Sequence, residues 1–146
     1  MTPNAPEPTQ FATEWISAWN SRDIEAVLAR YTDDVLFTSP TALRVVPASE
    51  GTVRGKEALR SYWVTALESN LDLRFELIGV YAGVDTLVLH YRNQRDDLIS
   101  EVLTFRQGLV AVGHATHHQH REEGVNGRHR YFPFSAWGSE GRRRGR

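Results

Sequence analysis

Apolar side chains along the first half of the chain recur every three or four residues, and along the second half every two. Phe11, Trp15, Ile16 and Trp19 form one helical stripe. They predict a helix from an N-cap at Thr9 to about Asn20. The polar stretch Asn20-Ser21-Arg22-Asp23 interrupts it. Ile24, Val27, Leu28 and Tyr31 then predict a second amphipathic helix from Ile24 to Tyr31. Val35–Ser39 reads as a short strand stopped by Pro40, and residues 40–52 read as a loop. Leu59, Trp63, Ala66 and Leu67 give the buried side of a third helix, Lys56 to Ser69. The period then shortens to two. Leu73–Tyr81 and Thr86–Arg92 read as strands joined by the turn Ala82-Gly83-Val84-Asp85. After the polar turn Asn93–Asp97, the stretch from Leu98 to Thr116 reads as a hairpin turning at Gln107-Gly108. Helices early and antiparallel strands late predict an α+β domain with helices packed on one sheet face.

The hairpin carries the sharpest chemistry. A tight turn at Gln107-Gly108 sets Phe105 against Val110, Leu103 against Val112, and Glu101 against His114. One face is then apolar along its length and ends in a carboxylate beside an imidazole, the composition of a small-molecule pocket. In the preceding strand, Leu87, Leu89 and Tyr91 form the more apolar face, so they are placed inward, with Tyr91 approaching Glu101. A slip of one residue would present His90 instead.

Composition narrows the function classes. The 146 residues suffice for one domain with a core. Cysteine is absent, which excludes disulfides and thiol catalysis. No stretch has the length of a membrane-spanning helix or the pattern of a signal peptide, so a cytoplasmic protein is expected. Residues 1–120 carry a net charge of −5 and residues 121–146 carry +4. An acidic body argues against nucleic acid as the main partner, and the terminal run Arg142–Arg146 reads as exposed charge. Residues 1–8, with three prolines, read as a disordered arm, and residues 9–118 as the folded domain. Residues 119–146, rich in Arg and Gly and without a period, read as a poorly ordered tail. His114, His117, His118 and His120 are clustered, but their spacing matches no standard zinc site, and no metal is assigned.

Four segments together resemble a known family. W-x-x-A-W-N-x-R-D-I-x-A-V, Y-x-D-D-V-L-F-x-S-P, G-x-x-A-L-x-x-Y-W and E-V-L-T-F-x-x-G, spanning residues 10–116, are similar to the SnoaL-like branch of the nuclear transport factor 2 (NTF2-like) superfamily. The resemblance implies a conical α+β barrel, three N-terminal helices packed in a strongly curved, mainly antiparallel sheet, and a homodimer. Members include polyketide cyclases, ketosteroid isomerases, epoxide hydrolases, dehydratases and binding proteins without catalysis, so the fold does not settle the activity. The positions that carry a tyrosine, a general-base aspartate and a protonated aspartate in the isomerases fall here on Trp15, Ser39 and Glu101. Only the last keeps a carboxyl, which argues against ketosteroid isomerisation by the usual mechanism.

Two functions follow as expectations. The first is a cofactor-free acid/base enzyme acting on a small, largely apolar carbonyl or epoxide compound. Glu101 would be its acid/base group, His114 its partner and Tyr91 an electrophilic support. Trp15, Trp19, Tyr31, Ser39, Trp63, Leu89 and Leu103 would form the pocket. The second is a non-catalytic ligand-binding or dimerisation module with the same pocket. A Glu101 that faces a cavity unpaired favours the enzyme, and one locked by an arginine favours the module.

Overall fold

The computed structural model describes residues 4–123 and 129–132, with backbone alone from residue 120 onward. Helix α1 (Pro8–Asn20) and the short α2 (Ile24–Leu28) lead into strand β1 (Tyr31–Thr38). Helix α3 (Pro40–Val45), a 3-10 turn (Pro47–Ser49), β2 (Thr52–Arg54) and α4 (Lys56–Ser69) follow. Four long strands come next: β3 (Glu76–Gly83), β4 (Thr86–Arg92), β5 (Leu98–Arg106) and β6 (Leu109–His117). A last hairpin, β7 (His120–Glu123) with β8 (His129–Phe132), forms its own two-stranded sheet. The other six strands make one curved sheet in the order β2-β1-β6-β5-β4-β3, antiparallel throughout except for the parallel pair β1–β6. The sheet does not close, and β2 and β3 are its edges. No helix among the described residues is long and apolar enough to cross a membrane.

The structure has four helices rather than three: α1, α3 and α4 pack on the sheet, and α2 packs on α1 and α4. The stretch read as a loop holds α3, whose signal was local: Ser39 accepts a hydrogen bond from Thr41 N at 3.1 Å, and Pro40 takes the first helical position. At α1 the cap is Glu7, accepting from Gln10 N at 2.7 Å, two residues before the expected Thr9. The second helix stops at Leu28. Tyr31, assigned by its spacing to that helix, begins β1 and sits opposite Val110 of β6. The run Tyr-Thr-x-x-Val-Leu-Phe-Thr is rich in strand formers, and pairing along β6 outweighs one more helical turn.

Two residues of the W-N-x-R-D segment tie the helices to the sheet. The Asn20 side chain donates to Phe75 O at 2.9 Å and accepts from Phe75 N at 2.7 Å. This occupies the backbone that would otherwise extend β3 toward Leu73, so the strand starts at Glu76. Arg22 donates to Leu67 O and Asn70 O, at 2.9 and 3.2 Å, satisfying carbonyls at the end of α4. The core between helices and sheet is aromatic. Trp19 meets Trp63 edge-on with centroids 4.9 Å apart, and Phe75 lies 4.5 Å from Tyr91.

Of the segment read as a disordered arm, residues 4–7 are described, and Asn4 lies against the β5–β6 turn. Asn4 accepts hydrogen bonds from Gln107 N and Gly108 N through its side chain and its carbonyl. Residues 1–3 and most of the segment read as a tail lie outside the described residues.

Candidate active site

The β5–β6 hairpin turns where the sequence places the turn, with Gln107 and Gly108 both at positive φ, and Phe105 faces Val110 as expected. Past that pair the register slips by one. Thr104 faces Val112, Leu103 faces Gly113, Val102 faces His114 and Glu101 faces Ala115. Ala111 is the extra residue of a β-bulge, and one extra residue sends every later side chain of β6 to the opposite face. His114 therefore does not meet Glu101. It lies on the outer face, where its Nδ1 is 2.6 Å from Thr38 Oγ1. The inner face receives Gly113, Ala115 and His117 instead. A Cβ on Gly113 would lie 3.1 Å from Phe37 and 3.3 Å from Leu103. A glycine inside a strand is the mark of such a bulge or close approach, and it was the signal that could have assigned His117 to the site.

Strand β4 has the expected orientation. Leu87, Leu89 and Tyr91 point inward, while His90 faces outward near Ser100. The Tyr91 hydroxyl donates to Glu101 Oε2 at 2.8 Å. Glu101 is 5% exposed, and its second oxygen, Oε1, has no hydrogen-bond partner among the described residues. No arginine among them pairs with it. Burial pushes the Glu101 carboxyl up to about 7 from an ordinary 4.5, while the bond from Tyr91 pulls it down. Tyr91 itself is raised well above the ordinary tyrosine range, first by burial and then by the nearby Glu101 charge.

Glu101 lines a cavity with Trp19, Phe37, Ser39, Tyr62, Trp63 and His117 among its walls. The centres of water-sized spheres can occupy about 50 Å³ of it. That is room for roughly four water molecules. Of the expected pocket residues, Trp19, Ser39 and Trp63 line the cavity. Trp15, Tyr31, Leu89 and Leu103 do not. They form the buried layer behind it, where Trp15 Nε1 donates to Tyr31 Oη at 3.0 Å. Besides His117, sequence reasoning missed eight wall residues: Phe37, Thr41, Tyr62, Ala66, Leu73, Phe75, Ile99 and Ala115. Tyr62 comes from the margin of the α4 stripe, and Thr41 from the helix read as a loop.

His117 is half-buried as a residue, and both of its ring nitrogens are buried. Burial lowers its imidazole to about 4. Between about pH 4 and 7 Glu101 and His117 are therefore both in their neutral forms. Chemically the site is an aromatic box holding one carboxyl with a free oxygen, poised to gain or lose a proton near neutral pH.

The sequence matches the SnoaL-like domain family over residues 12–125. No curated protein matches it. A crystal structure of a SnoaL-like protein of unknown function from Burkholderia thailandensis is 37% identical, with a TM-score of 0.72 over 77% of this chain and 99% of that one. Two more distant structures share the fold. A putative polyketide cyclase from Sinorhizobium meliloti is 13% identical, with a TM-score of 0.61 over 73% of this chain and 94% of that one. TerC, co-crystallised with polyporic acid, is 15% identical, with a TM-score of 0.63 over 75% of this chain and 90% of that one. Taken with the curved sheet and its helix-lined cavity, these matches show that the chain belongs to the SnoaL-like family, a branch of the NTF2-like superfamily.

Proposed function

We propose that this protein is a cofactor-free acid/base enzyme that moves a proton on a small carbonyl compound held in the aromatic cavity. One observation carries the reading over that of a passive binding module: Glu101 faces the cavity with Oε1 unpartnered and no arginine among the described residues holding it. As a carboxylate, Oε1 takes a proton from the carbon beside the carbonyl, and the C–H electrons move to the carbonyl oxygen as the enolate forms. Once Glu101 has traded that proton with solvent, reprotonation of the same carbon completes an exchange, and delivery of the proton to a conjugated carbon completes an isomerisation. A carboxyl near 7 supplies both forms at neutral pH.

Tyr91 has one proton, and it is donated to Oε2. In this reading it is a positioning residue that aims Oε1, rather than an electrophile at the substrate. His114 has no part, since it lies on the other face of β6. The likeness to a cyclase structure supports this chemistry only as far as fold goes.

The test is exchange of the α-protons of cyclohexanone in heavy water, followed by proton NMR. The wild-type protein should accelerate exchange over buffer, rising with pH through about 7 as the carboxylate forms. Glu101→Gln should return the rate to that of buffer. Exchange that survives this substitution would refute the assignment.

A further inference from the structure

The cavity has a second polar end. Ser39 continues the extended backbone of β1, with φ −163° and ψ 137°. The parallel register pairs Thr38 with His114, so Ser39 comes beside Ala115, which faces Glu101 on β5. Ser39, Ala115 and Glu101 thus form one row across three strands on the inner face. Two inter-strand steps separate its ends by about 10 Å between backbones. Between them stands only the methyl group of Ala115, which leaves the floor open.

Ser39 is also set up as a donor. Its Oγ accepts from Thr41 N at 3.1 Å and from the Tyr62 hydroxyl at 3.4 Å. The 3.4 Å contact with Tyr62 is long for a pair of hydroxyls, so no short hydrogen bond among the described residues holds the Ser39 proton, and it can turn to an oxygen in the cavity. Ser39 is 6% exposed and lines the cavity. A buried hydroxyl in this state costs stability unless something in the cavity accepts from it.

We infer that Ser39 is a ligand-binding residue, and that the cavity takes a compact, flat compound with oxygen functions at both ends, one held by the Ser39 hydroxyl and the other brought to Glu101. The inference rests on the acid/base reading of Glu101 and adds the substrate class to it. Space for roughly four waters limits the occupant to about one ring. The rings of Trp19, Phe37, Trp63 and Phe75 suit a flat body. Oxygens in a 1,4 relation across a six-membered ring put one function toward each end of the row.

The probes are cyclohexane-1,4-dione and 4-methylcyclohexanone, in which a methyl group replaces the second oxygen. Binding is read from the fluorescence of Trp19 and Trp63, which line the cavity. The dione should bind about tenfold more tightly, the worth of one buried hydrogen bond. Ser39→Gly, which keeps helix α3 nearly as well capped, should reduce the dione to the affinity of 4-methylcyclohexanone. Equal affinities in the wild-type protein, or a tenfold preference that survives Ser39→Gly, would overturn the inference. The comparison of probes on the wild-type protein stands even if the variant folds poorly. Exchange of cyclohexanone protons separates the two claims. If it depends on Glu101 while the dione shows no preference, only the Ser39 assignment falls. If it does not depend on Glu101, the acid/base reading itself falls.

Discussion

Replacing Glu101 by Gln should stabilise the protein, and by an amount that grows with pH. The folded protein holds the carboxyl at about 7, against 4.5 for the free group. Every tenfold change in proton affinity corresponds to about 1.4 kcal/mol, so keeping this carboxyl buried as an anion costs about 3 kcal/mol. Below pH 4.5 the acid is protonated in both folded and unfolded chains, and its stabilising contribution is complete. As pH rises from 4.5 to 7 the unfolded chain loses the proton first, and stability drains away. Above 7 both states are ionised and the loss stops growing. Glutamine never ionises. The difference in unfolding free energy between Glu101→Gln and the wild type should therefore be flat below pH 4.5, climb by about 3 kcal/mol, and level off by about pH 8. Urea unfolding at half-unit pH intervals measures it, and at about pH 8 the gain corresponds to roughly 10 °C in Tm. His117 titrates in the opposite sense, its lowered value giving stability that is lost as pH falls from 6.5 toward 4, but it is common to both proteins and cancels in the difference. A difference that does not change with pH would refute the claim that burial raises this carboxyl.

Three further outcomes are expected. Tyr91→Phe removes the one hydrogen bond that lowers the Glu101 carboxyl, so its pKa should move above 7 and the pH dependence of proton exchange should shift upward with it. His117→Ala should flatten the acid side of the stability curve, sparing up to about 3 kcal/mol of the loss between pH 6.5 and 4, as read from urea midpoints. Gly113→Ala should destabilise by about 1–3 kcal/mol, because its new methyl meets Phe37 at 3.1 Å and Leu103 at 3.3 Å in a packed core; thermal melts of the two proteins would show it.

What the sequence made legible was whatever local period and local caps control. The stripes of α1 and α4, the turn at Gln107-Gly108 and the inward face of β4 follow from spacing alone, and with them the meeting of Tyr91 and Glu101. What it hid was set by distant pairing. Tyr31 fits a helical stripe by number, yet β6 draws it into β1. Strand alternation names a face only while the register is unbroken, and the bulge at Ala111 exchanged His114 for His117 with no charge or turn residue at the bulge to announce it. Gly113 alone hinted at the crowding there. The cavity walls were legible by residue type but not by depth: Trp15 and Tyr31 are as aromatic as Trp19 and Trp63, and only packing decides which ring faces the cavity and which lies behind it.

The proposed chemistry turns on the state of one carboxyl. The direct measurement is a pH titration of the Glu101 side-chain carboxyl by carbon NMR, assigned through Glu101→Gln, with and without cyclohexanone. A midpoint near 7 that moves when the ketone is added is the predicted result. A midpoint near 4.5 that ignores the ketone would contradict it.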